Sequence, residues 1–153
     1  MSPVSIVVRL LRGAAAGTVA TAPMSLLMLG AGKLGLMGEQ PPEAIARRAL
    51  AEASGTEPGS PASQALAVLA HVAFGAGSGA AYAALPRPAR VPAPVAGTAF
   101  SLAVWAASYR GWVPRIGALP HAEHDRDDRV AAMVAAHVLF GAVLGNLERR
   151  WTR

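Results

Sequence analysis

Two histidines interrupt long runs of sequence that contain no Asp, Glu, Lys or Arg. His71 lies within Pro58–Pro86 and His137 within Val130–Leu147. Each belongs to the same decapeptide: Ala70-His71-Val72-Ala73-Phe74-Gly75-Ala76-Gly77-Ser78-Gly79 recurs as Ala136-His137-Val138-Leu139-Phe140-Gly141-Ala142-Val143-Leu144-Gly145, with seven of ten positions identical at an offset of 66. On a helix His71, Gly75 and Gly79 fall at i, i+4 and i+8 and share one stripe, as do His137, Gly141 and Gly145. Glycines at this spacing let a neighbouring backbone approach, so Gly75, Gly79, Gly141 and Gly145 are expected to be packing positions. Gly13 and Gly17 offer a similar face.

An imidazole in apolar surroundings is costly unless it finds a partner. Three chemistries fit a pair of them. Each neutral ring can hydrogen-bond across a helix interface, to Thr18, Thr21, Thr98 or Ser101 or to a carbonyl freed by Pro23. The pair can form a polar seam for protons or a small solute, although no carboxylate lies in the same runs to complete a relay. The two rings can also ligate a haem iron axially from opposing helices, with the glycines making room for the macrocycle. More paired histidines per helix would be the usual sign of haem, so no cofactor is expected. The candidate polar site is His71 and His137 with Thr18 and Thr98, in the hydrogen-bonding reading.

Other chemistry is thinly represented. His121, Glu123, His124, Asp125, Asp127 and Asp128 crowd one segment, but their spacing matches no closed tetrahedral metal set, and a solvated loop is the simpler reading. Ser78 between glycines is expected to pack. There is no phosphate-binding glycine loop, no helix-borne zinc motif and no nucleophile elbow, so no catalytic residues are assigned and no enzyme is expected. Cysteine is absent, which excludes disulfides, thiolate metal sites and a cysteine nucleophile. Fourteen basic residues outweigh nine acidic ones. No basic patch is interleaved with aromatics, so the excess points to anionic lipid and not to nucleic acid.

The elements that must carry the histidines follow from hydropathy. The chain has 153 residues, 53% of them hydrophobic and only 15% charged. Four stretches, Gly13–Gly32, Pro58–Pro86, Val91–Tyr109 and Val130–Leu147, are free of charge. A helix needs about 20 residues, and no fewer than about 17, to cross the hydrocarbon core. A soluble helix would instead place charge on one face at nearly every turn. Four membrane spans are therefore predicted, near 10–32, 62–85, 92–109 and 130–147. Arg9 and Arg12 before an apolar run with Ala20-Thr21-Ala22 imitate a secretion signal, but the strongest apolar run, Leu26–Leu29, lies after that point, so an uncleaved first span is expected.

Pro23 should kink the first span, which is expected to end at Gly30-Ala31-Gly32-Lys33. Pro41-Pro42 opens a short amphipathic helix over about 41–54. It carries Ile45, Ala46, Ala49, Leu50 and Ala53 on one face and the pairs Glu43/Arg47 and Arg48/Glu52 on the other. This helix can lie on the membrane surface or cap the bundle. The turn Pro86-Arg87-Pro88-Ala89-Arg90 makes spans two and three antiparallel neighbours. Trp105, Tyr109 and Trp112 read as interfacial aromatics anchoring one end. Ala-Gly-Thr recurs at 16–18 and 96–98. With the decapeptide repeat, it suggests two helix hairpins inserted in the same direction.

Arg9, Arg12, Arg87, Arg90, Arg149, Arg150 and Arg153 crowd into short segments at one side. Lys33, Arg47, Arg48, Arg110, Arg115, Arg126 and Arg129 are diluted among acids in longer loops on the other. Both termini are therefore expected in the cytoplasm.

His-Val-x-Phe-Gly-Ala in spans two and four, with Trp105-Ala106-Ala107-Ser108-Tyr109-Arg110-Gly111-Trp112-Val113-Pro114 and Leu119-Pro120 between them, resembles the YagU-like family of small bacterial inner-membrane proteins over roughly Gln64 to Leu147. That resemblance implies a multi-helix bacterial inner-membrane protein and supplies no catalytic residues. The expectation is an all-α, single-domain membrane four-helix bundle with one extramembrane helix. It is expected to be structural or stress-related, and to self-associate through its glycine faces as a homo-oligomer in the lipid bilayer.

Overall fold

The computed structural model describes residues 3–38, 40–53, 61–86 and 90–152. Ser54 of the expected amphipathic helix, Arg87, Pro88 and Ala89 of the basic turn, and Arg153 lie outside the described residues, as do the side chains of Leu50, Glu52 and Ala53. The described residues are helical, in the order α1 Pro3–Lys33, α2 Pro41–Ala53, α3 Pro61–Ala84, α4 Ala93–Ala107, a π-helical turn Ser108–Trp112, α5 Val113–Arg115, a short 3-10 turn Ala122–His124, and α6 Asp127–Trp151.

Helix boundaries follow local chemistry. α1 runs through Pro23 and ends at Lys33, within the expected Gly30–Lys33 segment, with Gly35 closing it. Gly35 adopts φ +76°, while Leu36 N–H donates to the Ala31 carbonyl at 2.9 Å and Gly35 N–H to that of Gly32 at 3.0 Å. This paired closure needs a left-handed residue, and only glycine takes that conformation without a side-chain clash. Gly117, at φ +68°, ends α5 in the same way. Pro41 and Pro42 begin α2, where their missing N–H groups cost nothing. Asp127 and Asp128 sit in the first turn of α6 and Arg149 and Arg150 in its last, matching the helix dipole at both ends.

Three helices, Ser5–Lys33, Ser63–Ala84 and Asp127–Trp151, are long and apolar enough to cross a membrane, as expected of a membrane protein. Large apolar side chains point outward along all three, including Leu11 and Leu26 on α1, Val68 and Leu69 on α3 and Val138 on α6. Water would penalise such faces, whereas lipid tails would not. The expected third span is interrupted as a regular α-helix, because the backbone widens into the π turn after Ala107. Pro114 follows that turn and has no N–H to donate back to Arg110.

α1 packs along α3, α4 along α6, and α1 also along α6. Glycine sets the closeness of the first two crossings. A Cβ on Gly17 would fall on the Gly75 carbonyl, and one on Gly79 on the Gly13 carbonyl. At the second crossing a Cβ on Gly97 would fall on the Gly141 carbonyl, and one on Gly145 on that of Ala93. Gly75, Gly79, Gly141 and Gly145 thus spend their bare faces inside the chain.

The backbones of α3 and α4, expected as neighbours, scarcely meet. They touch through aromatic rings, Tyr82 with Phe100 at 5.2 Å and, beyond the end of α4, Phe74 with Trp112 at 6.5 Å.

Candidate functional site

The small residues that bring the paired helices together occupy one half of the molecule. Towards the other half the side chains are larger, and a cavity of about 210 Å³ opens between α1, α3, α4 and α6. Met24 and Met28 line it from α1, His71 and Phe74 from α3, Ser101 and Trp105 from α4, and Met133, His137 and Phe140 from α6. Pro41, Pro42 and Ile45 of α2 close one end, so this helix covers the cavity, and Leu119 of the following loop joins it. Among the described residues, no Asp, Glu, Lys or Arg lines the wall.

His71 and His137 line this one cavity. Nδ1 of His137 lies 2.8 Å from the Met133 carbonyl oxygen. A carbonyl can only accept, so Nδ1 carries the proton, and in the neutral ring Nε2 is left as an acceptor. Nδ1 of His71 lies 3.3 Å from Ser25 Oγ, where either group can donate. The partner of His71 is therefore Ser25, a residue absent from the candidate hydroxyls. Thr18 is exposed and does not line the cavity. Thr98 donates to the Val138 carbonyl at 3.4 Å, joining α4 to α6 away from the cavity.

Two further polar groups distinguish this site. Ser101 is fully buried, and its Oγ has no hydrogen-bond partner. Trp105 Nε1, one helical turn further along α4, is also buried and unpartnered. Thr21, on the opposite wall, donates to the Gly17 carbonyl of its own helix at 2.9 Å. Ser101 makes no such bond to Gly97, although serine hydroxyls in helices commonly bond the carbonyl four residues back. Sequence reasoning named Ser101 only as a histidine partner and missed Trp105. The i, i+4 spacing of the two within a charge-free run was the available signal.

The aromatic trio expected at the interface also borders the cavity, with Trp112 exposed. Trp105, Tyr109 and Trp112 all line the cavity, and Tyr109 is buried. Its hydroxyl donates to the Asp125 carboxylate, which Arg129 also approaches at 3.5 Å. This ties the π turn to the start of α6. Two further carboxylates of the segment are engaged with arginine, Glu123 with Arg110 and Asp128 with Arg126. The Arg110 guanidinium holds the Glu123 carboxyl below the usual carboxylate range. Among the described residues no three His, Asp or Glu side chains are grouped to hold a metal ion.

Among the described residues, three membrane-length apolar helices and an apolar cavity between helices are consistent with a membrane protein. The chain matches DUF6789, a family of unknown function, over residues 7–153, and it belongs to that family. No curated protein and no solved structure matches the chain.

Proposed function

We propose that this chain is a four-crossing bacterial inner-membrane protein that holds a small, mainly apolar molecule between its helices without chemically altering it. The observation that carries this reading is the convergence of both histidines, Ser101 and Trp105 on one 210 Å³ cavity. Well-packed interiors seldom leave such a space. An apolar cavity of about 150 Å³ accepts benzene, so this one suits a ring system of about ten non-hydrogen atoms. The fourth crossing is α4 extended through the π turn and α5, since the chain stays helical from Ala93 to Arg115. Close α1–α3 and α4–α6 pairing, the recurring decapeptide and the two similar glycine crossings support a bundle of two related hairpins.

Holding is favoured over conduction by where the cavity stops. Its wall reaches no further than Ser78 on α3 and Phe140 on α6. Beyond those residues the paired helices close on each other through backbone contacts at Gly79 and Gly145.

The test is equilibrium dialysis of radiolabelled naphthalene against the purified full chain in detergent micelles, with empty micelles as reference. Saturable uptake of one equivalent, lost in Val104→Trp and in Met133→Trp while helicity is retained, is the expected result. Uptake equal to that of empty micelles would overturn the reading.

A further inference from the structure

Resting on that reading, we infer that the occupant is a neutral molecule carrying a carbonyl or equivalent acceptor oxygen, which Ser101 Oγ and Trp105 Nε1 bind together from one face of α4.

Charge is excluded by the wall. No Asp, Glu, Lys or Arg lines the cavity, and an ion placed there would lose its hydration without gaining a counter-charge. The polarity needed is set by the two orphaned groups. An indole N–H can only donate, so whatever meets Trp105 must accept. A serine hydroxyl can do either, and beside a fixed donor it can donate to the same atom. Ser101 and Trp105 stand at i and i+4, so their side chains share one face of α4. A carbonyl oxygen has two lone pairs and can receive both bonds at once. Leaving two buried groups unpaired is expensive, so an oxygen, from water or from a ligand, must meet them. A ligand oxygen gains over water only if it reproduces both bonds while its carbon skeleton fills the apolar remainder, formed by Met24, Met28, Phe74 and Phe140.

Two neighbouring polar groups are already engaged. Thr21 is satisfied within its own helix, and the His71 Nδ1 has Ser25. Nε2 of His137 is an acceptor in the neutral ring and makes no hydrogen bond to Trp105 Nε1.

A matched pair of probes isolates the oxygen. Tetralin and 1-tetralone have the same bicyclic skeleton and differ by one carbonyl group. Each is titrated against bound radiolabelled naphthalene on the full chain in micelles, corrected for its own partition into empty micelles. 1-Tetralone is expected to displace naphthalene at about one tenth the concentration of tetralin, which corresponds to about 1.4 kcal/mol. Ser101→Ala and Trp105→Phe should each bring that ratio towards one. The carbonyl stretch of bound 1-tetralone should lie at lower frequency in the native chain than in Ser101→Ala. That shift reports the hydrogen bond directly, even if the Trp105 variant folds poorly.

Equal competition by the two probes, or a preference that survives both substitutions, overturns the inference while leaving naphthalene binding and the holding role intact. A chain that binds none of the three compounds overturns both.

Discussion

Gly97 of α4 and Gly141 of α6 meet backbone to backbone, so that a Cβ on either would fall on the other's carbonyl. Gly17 and Gly75 hold α1 and α3 in a related contact, where a Cβ on Gly17 would fall on the Gly75 carbonyl and one on Gly75 on the Thr21 hydroxyl. Main-chain atoms cannot rotate away as side chains do, so even one methyl must push the helices apart. Gly141→Ala is expected to destabilise the chain by about 1–3 kcal/mol, the usual range for overpacking. Gly77→Ala, on the same helix as Gly75 but with open space around its would-be Cβ, should be neutral or slightly stabilising. Thermal unfolding in one detergent, followed by circular dichroism, compares the two directly.

Tyr109 and Asp125 provide a second, polar fastening. The Tyr109 ring is buried and its hydroxyl donates to a carboxylate. Hydrogen bonds to charged acceptors contribute about 1.5–3 kcal/mol. Tyr109→Phe should lower stability by that order while preserving ring packing against Trp105, whose centroid lies 6.0 Å away. Arg129 remains beside Asp125 in the variant and limits the loss. The melting temperature of Tyr109→Phe against that of the native chain checks the prediction.

Much of this arrangement was legible in the sequence, for reasons specific to each element. Charge-free runs marked α1, α3 and α6 because a long apolar helix leaves a compositional trace that does not depend on its neighbours. The glycines at 75, 79, 141 and 145 announced close approach because missing side chains have few other uses in such a helix. The identity of the partner did not follow, since a bare face fits a neighbour in the same chain as well as a second copy. The histidine partners were only partly legible. Ser25 lies four residues beyond Thr21, and which hydroxyl reaches His71 depends on the helix crossing, a property of three dimensions. That Trp105, Tyr109 and Trp112 also border the cavity was not legible, because the π turn Ser108–Trp112, which shifts the helical register of the residues after it, leaves no simple periodic trace.

Acid should weaken one surface fastening. The Arg110 guanidinium keeps Glu123 ionised to lower pH than an unpaired carboxyl. The folded-state pKa is thus depressed, so this pair's contribution is present above the unfolded value and is lost as pH falls through the folded one. Both side chains are more than half exposed, so the effect is small and screened by salt. The melting temperature should decline below the usual carboxylate range, and Glu123→Gln should remove part of that decline at low ionic strength and little of it at high. A decline of equal size in the variant at both salt concentrations would remove the pair from the account.

The proposed orientation is open to direct measurement because the chain has no cysteine to confuse labelling. Arg126 donates to the Gly35 carbonyl at 3.2 Å, which places the end of α1 and the segment before α6 on one side of the molecule. Arg9 donates to the Ala83 carbonyl and, at 3.4 Å, to that of Leu85, which places the start of α1 beside the end of α3 on the other. Arginine crowds that second side in short segments, the pattern expected of a cytoplasmic face. Leu34→Cys and Ile116→Cys, both at exposed positions, should react with a membrane-impermeant maleimide in bacterial cells whose outer membrane alone is opened. Arg12→Cys and Arg149→Cys should react only after the inner membrane is permeabilised. The reverse pattern would invert the topology, and labelling of Arg12→Cys and Arg149→Cys from opposite sides would mean an odd number of crossings, leaving α4 and its π turn outside the bilayer.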